Sequence, residues 1–252
     1  MTKEDKKGYI LILISILAIM IIGYIAFDLK RSSLCDKATL CPLEVTYDST
    51  VIIIDKSDPW RRKDAEKIRK ILTSTFNNLS EHERLVIKVI EPDEMKETEI
   101  KTYFDMCNPG NKANPLYQNS RKVLIKYNTL FQEPLKKVMK SLTSSTVTES
   151  SPILESIQES LRENKGENIK LIIVSDLLEY TEEYFNFYTH IPSVQESMDA
   201  LSFTKGRLES LHIEYILRKH YQSKIFASLK FFKNLTKELG GNFSKRKLLI
   251  SR

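Results

Sequence analysis

Histidine, cysteine and glycine are scarce in this chain, and each scarcity removes a class of chemistry. The four histidines, His82, His190, His212 and His220, are scattered without metal-ligand spacing, and the three cysteines, Cys35, Cys41 and Cys107, form no zinc pattern. The seven glycines build no phosphate-cradling loop and no nucleophile elbow. No internal repeat occurs, and the one biased stretch is the Ser/Thr-rich run 143–151. The net charge is +6, with five Lys or Arg against three Asp or Glu in the first 31 residues. The excess left for the rest of the chain is dilute, whereas a nucleic-acid binder concentrates basic residues on one face, so no nucleic-acid partner is expected. The short cluster Lys245, Arg246, Lys247 and Arg252 reads as a solvated or membrane-facing terminus.

Long hydrophobic runs are also few, and one stands out. Tyr9 to Phe27 contains no charged residue, and as a helix at about 1.5 Å per residue it would span roughly 28 Å, the thickness of a bilayer core. A cleaved signal peptide has a shorter apolar stretch and a small-residue cleavage site, and here Asp28, Lys30 and Arg31 follow instead. The expected organisation is a short tail at 1–8, a transmembrane helix at 9–27, a juxtamembrane tether at 28–49 and a domain over 50–252. Lys3, Lys6 and Lys7 balance Lys30, Arg31 and Lys37, so basic residues do not decide orientation. The short N-terminal end favours a signal anchor, with a single-pass topology and the C-terminal domain outside the cytoplasm. Cys35 with Cys41, or Cys41 with Cys107, would then form a disulfide; three free thiols on the cytoplasmic side is the remaining alternative.

Val51–Asp55 (VIIID) is a β-branched run ending in an acid, as a strand buried on both faces does at a functional edge. Lys63 to Asn77 keeps helical apolar spacing, Leu85 to Ile90 is a second strand, Lys170–Asp176 (KLIIVSD) repeats the first pattern, and Leu211–Leu217 is a further strand. Ala227–Leu239 predicts a helix stopped by Gly240 and Gly241, and Leu248–Ile250 an edge strand. Arg121 to Leu142 reads as helix bent at Pro134, and Asp105 to Ser120 as loop. Alternation of strands and helices predicts an α/β, doubly wound, mostly parallel sheet flanked by helices and preceded by one transmembrane helix.

Ligands of such sheets collect beyond the strands' carboxyl ends. There the chain resembles the von Willebrand factor A family, whose metal-ion-dependent adhesion site uses D-x-S-x-S after the first strand, a Thr in a middle loop and an Asp after the fourth. Asp55 and Ser57 fall on the first two positions, Ser151 on the Thr, and Asp176 on the last acid; Pro59 replaces the second Ser. The resemblance implies a Mg²⁺ held by Asp55, Ser57, Ser151 and Asp176 in a site lacking one hydroxyl. Ser151 before Pro152 also suits a helix N-cap. Asp58, Trp60, Glu179, Asn108 and Asn114 are candidate partner contacts. The aromatic group Tyr180, Tyr184, Phe185, Phe187 and Tyr188 is expected to pack mainly in the core.

The expected function is a membrane-anchored protein-binding module, an adaptor or assembly component rather than an enzyme. The alternatives are a metal-independent scaffold using the 105–120 loop and the helix after it, and a metal-dependent hydrolase.

Overall fold

A computed structural model describes residues 8, 12–24, 35–57, 62–92, 98–115, 118–142, 150–164 and 166–250. Within the predicted span, residues 12–24 form helix α1, with exposed apolar side chains such as Leu13, Ile19 and Tyr24. Among the described residues no helix is long and apolar enough to cross a membrane; the rest of the apolar run lies outside them.

The domain is a six-stranded sheet in the order β3-β2-β1-β4-β5-β6. Its strands are β1 (Ser49–Asp55), β2 (Arg84–Pro92), β3 (Thr98–Cys107), β4 (Ile169–Ser175), β5 (Leu208–Leu217) and β6 (Asn242–Ile250). All pairings are parallel except that of β2 with β3. The helices are α2 (Arg62–Asn77), α3 (Ser120–Tyr127), α4 (Glu133–Ser141), α5 (Ile153–Glu163), α6 (Val194–Leu201) and α7 (Gln222–Glu238). Alternate residues of β1 serve opposite cores. Val51 and Ile53 join Ile153, Ile157 and Leu161 of α5 and Leu229, Phe232 and Leu235 of α7. Ile52 and Ile54 join Ile68 and Leu72 of α2 with Phe131 and Leu135. A strand covered on both faces has no need of polar alternation, which is why VIIID is continuously apolar.

Three local features differ from the sequence expectation. Strand β3 occupies Thr98–Cys107, so the segment expected to be loop from Asp105 begins three residues later, after Cys107. As an edge strand, β3 is charged and half-exposed, with Glu99, Lys101 and Asp105 along it, and so lacks a buried strand's signature. Helix α6 was not foreseen; its start is fixed by a capping box between Ser193 and Glu196. The helix from Arg121 does run on to Ser141, but a π turn (Asn128–Gln132) precedes Pro134. Proline cannot donate to the preceding turn, and the wider turn absorbs that loss.

The cysteines resolve as a Cys41–Cys107 disulfide with Cys35 free. The bond ties the tether to the end of β3. Helix α7 ends as foreseen, with Gly240 in the left-handed region at φ +89°. Gly241 lies so close to the Leu208 backbone that a Cβ would sit 3.0 Å from its carbonyl oxygen.

Candidate functional site

Parallel pairing brings the C-terminal ends of β1, β2, β4 and β5 to one rim. Asp55 is buried at the centre of it. Its Oδ2 accepts hydrogen bonds from the Ser151 hydroxyl at 2.9 Å and the Ser175 hydroxyl at 2.7 Å, and its Oδ1 accepts from the Ser57 backbone N–H at 2.9 Å. These three accepted hydrogen bonds satisfy a side chain that burial would otherwise strand away from water. Beyond β4 the chain turns sharply at Leu177, a buried non-glycine residue with φ +66°. Such a left-handed residue costs about 1–3 kcal/mol, a kind of strain that clusters at functional sites. The turn is fixed by the Leu177 N–H on Ser175 Oγ and the Leu178 N–H on Asp176 Oδ1.

Asp176 meets Arg218, the first residue after β5, with Nε 2.6 Å from Oδ2. On the other side of Asp55, Lys56 is 97–98% removed from solvent and pairs with Glu91 at the end of β2, Nζ to Oε2 being 3.2 Å. Tyr103 of β3 donates to the other Glu91 oxygen at 2.6 Å. Burial, reinforced by that bond to a carboxylate, pushes the Tyr103 phenol up to about 12.

Ser151 does not cap α5. Its hydroxyl is spent on Asp55, and the helix N-cap is Pro152, without a side-chain cap. The free N–H of Leu154 is instead met by Glu179 Oε2 at 2.9 Å. Glu179 is fully buried, so it offers nothing to a partner in this arrangement, contrary to its sequence-based role. The Glu155 carboxyl lies close enough to act on it, and one buried oxygen of each, Glu155 Oε2 and Glu179 Oε1, has no hydrogen-bond partner. Burial raises the proton affinity of both, most strongly at Glu179, where the charge of Glu155 adds to it.

Of the other candidates, Asp58 and Trp60 lie outside the described residues. Asn108 follows Cys107, which pairs with Arg84, itself opposite Ser49; it therefore sits at the sheet end away from the rim. Its side chain is engaged with Leu79 O, Ser80 O and the Gly110 N–H. Asn114 lies in the same loop, its backbone bonded to Gln118. Neither joins the rim.

The aromatic expectation is corrected in part. Phe187 is buried against Phe231, with ring centroids 5.2 Å apart, but Tyr184 is 49% exposed and Tyr188 37%. Tyr188 meets Tyr180 at 6.5 Å and Tyr221 at 5.1 Å, and the Tyr221 N–H donates to the Arg218 carbonyl. Tyr188 and Tyr221 therefore adjoin the Asp176–Arg218 end of the rim, with Tyr184 exposed on the same turn as Tyr188. Phe187 reaches the core from this polar turn, while Tyr184 and Tyr188 on the same turn stay at the surface.

Sequence reasoning missed Ser175, Arg218, Lys56 with Glu91, and Glu155. The rule that flagged Asp176 reaches Arg218 too, since Arg218 directly follows an apolar strand. Ser175 was readable from the strand end IIVSD, where it precedes the acid. The Lys56–Glu91 and Glu155–Glu179 pairs carried no local signal.

A Mg²⁺ at this place fits the side chains only partly. Asp55 and Ser151 are in contact and face one point, but Asp176 is held by a guanidinium, which would have to leave before a divalent cation took its place. Among the described residues no group of three or more His, Cys, Asp or Glu side chains is gathered closely enough to hold a metal.

No family model matches the chain, and no curated protein does. Among solved structures, it is similar to a von Willebrand factor type A protein from Catenulispora acidiphila, at 10% identity and TM-score 0.48 over 80% of this chain and 39% of that one. It is also similar to the PilB minor pilin from Streptococcus sanguinis, at 10% identity and TM-score 0.42 over 82% of this chain and 58% of that one. The conserved hypothetical protein BatB from Bacteroides thetaiotaomicron matches at 11% identity and TM-score 0.40, over 79% of this chain and 90% of that one. The chain thus spans well under two thirds of the first two. At these scores the likenesses are too loose to transfer a function.

Proposed function

We propose that the chain is a protein-binding module of the von Willebrand factor A type, tethered by residues 9–27, whose rim and adjoining tyrosines grip a protein partner. The observation that supports this most is the exposed pair Tyr188 and Tyr221 beside Asp176 and Arg218, with Tyr184 exposed on the turn that carries Tyr188. Tyr and Arg are the residue types that dominate binding energy at protein interfaces, because they carry large contact area together with a polar group. A monomer gains nothing by leaving several tyrosines in water.

The rim supplies a fixed cation of its own in Arg218, so contact with a partner needs no metal. The Cys41–Cys107 bond supports placing the domain on the extracytoplasmic side, where disulfides persist. Binding rather than catalysis is favoured because Ser151 and Ser175 give their protons to a carboxylate already accepting a third bond, which leaves neither serine activated as a nucleophile.

A Mg²⁺-dependent version is the second reading. It is favoured by the direct Asp55–Ser151 contact and requires Arg218 to swing away when the partner docks. Affinity capture from solubilised membranes separates the two. Replacing Tyr184, Tyr188 and Tyr221 together by Ala should abolish capture while a chelator leaves it intact. Capture that survives the triple substitution rejects this surface, and capture lost only with the chelator selects the second reading.

A further inference from the structure

Helix α3 differs from the other helices of the domain in burying none of its side chains. Its eight residues, SRKVLIKY, carry Arg121, Lys122 and Lys126 and no acid, and they expose Leu124 at 48% and Ile125 at 55%. Leu130 continues the apolar exposure into the π turn, and Lys136 and Lys137 continue the charge along α4. The helix is nonetheless specified by its own residues, since Asn119 Oδ1 accepts from the Lys122 N–H at its start. A helix anchored to the core only through the half-buried Tyr127, yet displaying aliphatic and cationic residues together, has the makeup of an interfacial helix.

Its position says which surface it meets. Tyr127 stacks near Phe76 in the last turn of α2, and with Asn108 and Gly110 it lines a cleft of about 460 Å³. This is the end of the sheet where β1 begins at Ser49 and where Cys41 is bonded to Cys107. The tether exposes Leu43 and Val45 there, at 64% and 47%. The described tether begins at this end with Cys35, bridged to Pro42, so if the apolar run 9–27 spans a bilayer, α3 is on the membrane-proximal side, opposite the rim.

We propose that α3, with Leu43 and Val45 of the tether, is a foot that rests on an anionic lipid surface, Arg121, Lys122 and Lys126 meeting lipid phosphates while Leu124 and Ile125 enter the interface. This rests on the reading that 9–27 is a membrane anchor. The consequence is orientational: with the foot down, the rim and its tyrosines point away from the bilayer, towards a partner.

The test uses the full chain in nanodiscs of phosphatidylcholine alone and of phosphatidylcholine with phosphatidylglycerol, read by amide hydrogen exchange. The foot predicts that residues 120–130 exchange at least several-fold more slowly in the anionic discs than in the neutral ones. Each basic residue near an anionic surface is worth roughly a fivefold change in affinity, so the Lys122→Glu/Lys126→Glu variant should lose the protection, with strands β1 and β4 unchanged. Equal exchange in the two lipids, leaving α3 for a protein instead, overturns the proposal. Extraction by alkaline carbonate reports on the anchor separately. If the chain is extracted, the anchor reading fails, and flotation of the same chain with the two vesicle compositions decides the foot: anionic-only flotation supports it, and flotation with neither refutes it.

Discussion

Replacing Arg218 by Met tests whether the rim is held by an internal cation. The substitution keeps most of the side chain's apolar bulk and removes the charge 2.6 Å from a carboxylate that is 4% exposed. Breaking a buried ion pair costs about 3–5 kcal/mol, because the surviving charge is left uncompensated. The Arg218 side chain is 29% exposed, so water screens part of the interaction, and a loss of about 2 kcal/mol is the working value. With a urea m-value of about 2 kcal/mol/M, the unfolding midpoint should fall by about 1 M. The double variant Arg218→Met/Asp176→Asn should regain most of that, since it removes the stranded charge as well. The assay is urea denaturation of the full chain in detergent, read by circular dichroism. A midpoint unchanged by the single substitution, or a double variant that is merely additive, would refute the coupling. The same variant probes metal: added Mg²⁺ should raise its midpoint if Asp55, Ser151 and Asp176 form a cation site once the guanidinium is gone, by linkage of binding to folding.

Other outcomes follow from the same geometry. Cys107→Ser opens a closure of 66 residues and should lower stability by about 4 kcal/mol on chain-entropy grounds, an effect that reductant reproduces in the parent chain but not in the variant. Burial raises the proton affinity of Glu179 and Glu155 in the folded state. The stability they contribute is therefore complete below the ordinary carboxyl range and declines as pH rises through the raised folded values. Glu179→Gln, which can still accept from the Leu154 N–H, should flatten that decline when unfolding is followed across the pH series; an unchanged slope would show that burial of Glu179 does not drive it. Ser151→Ala should cost about 1 kcal/mol in the same denaturation assay, through one of three bonds to Asp55, without fraying α5, whose cap comes from Glu179.

How far the sequence could be read depended on how local each signal was. The strands ending at Asp55 and Ser175 were plain because burial on both faces leaves an uninterrupted β-branched run; the rule about strand ends led directly to Asp55 and Asp176, while Ser151 was pointed to by the family resemblance. Strand β3 was hidden because an edge strand uses charges to discourage further pairing, which resembles a loop. The reassignment of Ser151 from helix cap to Asp55 partner depended on Glu179, 28 residues away, filling the cap. Cys41 with Cys107 was one of the alternatives left open, and only the pairing of β3 with β2 chose it, by carrying Cys107 to the end of the sheet where the tether enters. Exposure of Tyr184 and Tyr188 was not legible, because composition cannot distinguish a ring that packs from one on a turn with nothing above it.

The central claim is that the rim with its tyrosines is where a partner docks. A photo-crosslinking amino acid placed at Tyr188 in the full chain, with a control at Lys237 on α7, tests it most directly in intact membranes. The account predicts a discrete protein adduct at position 188 that is absent at 237 and weakened by Arg218→Met. Adducts that form equally at both positions, or at 237 alone, would contradict it.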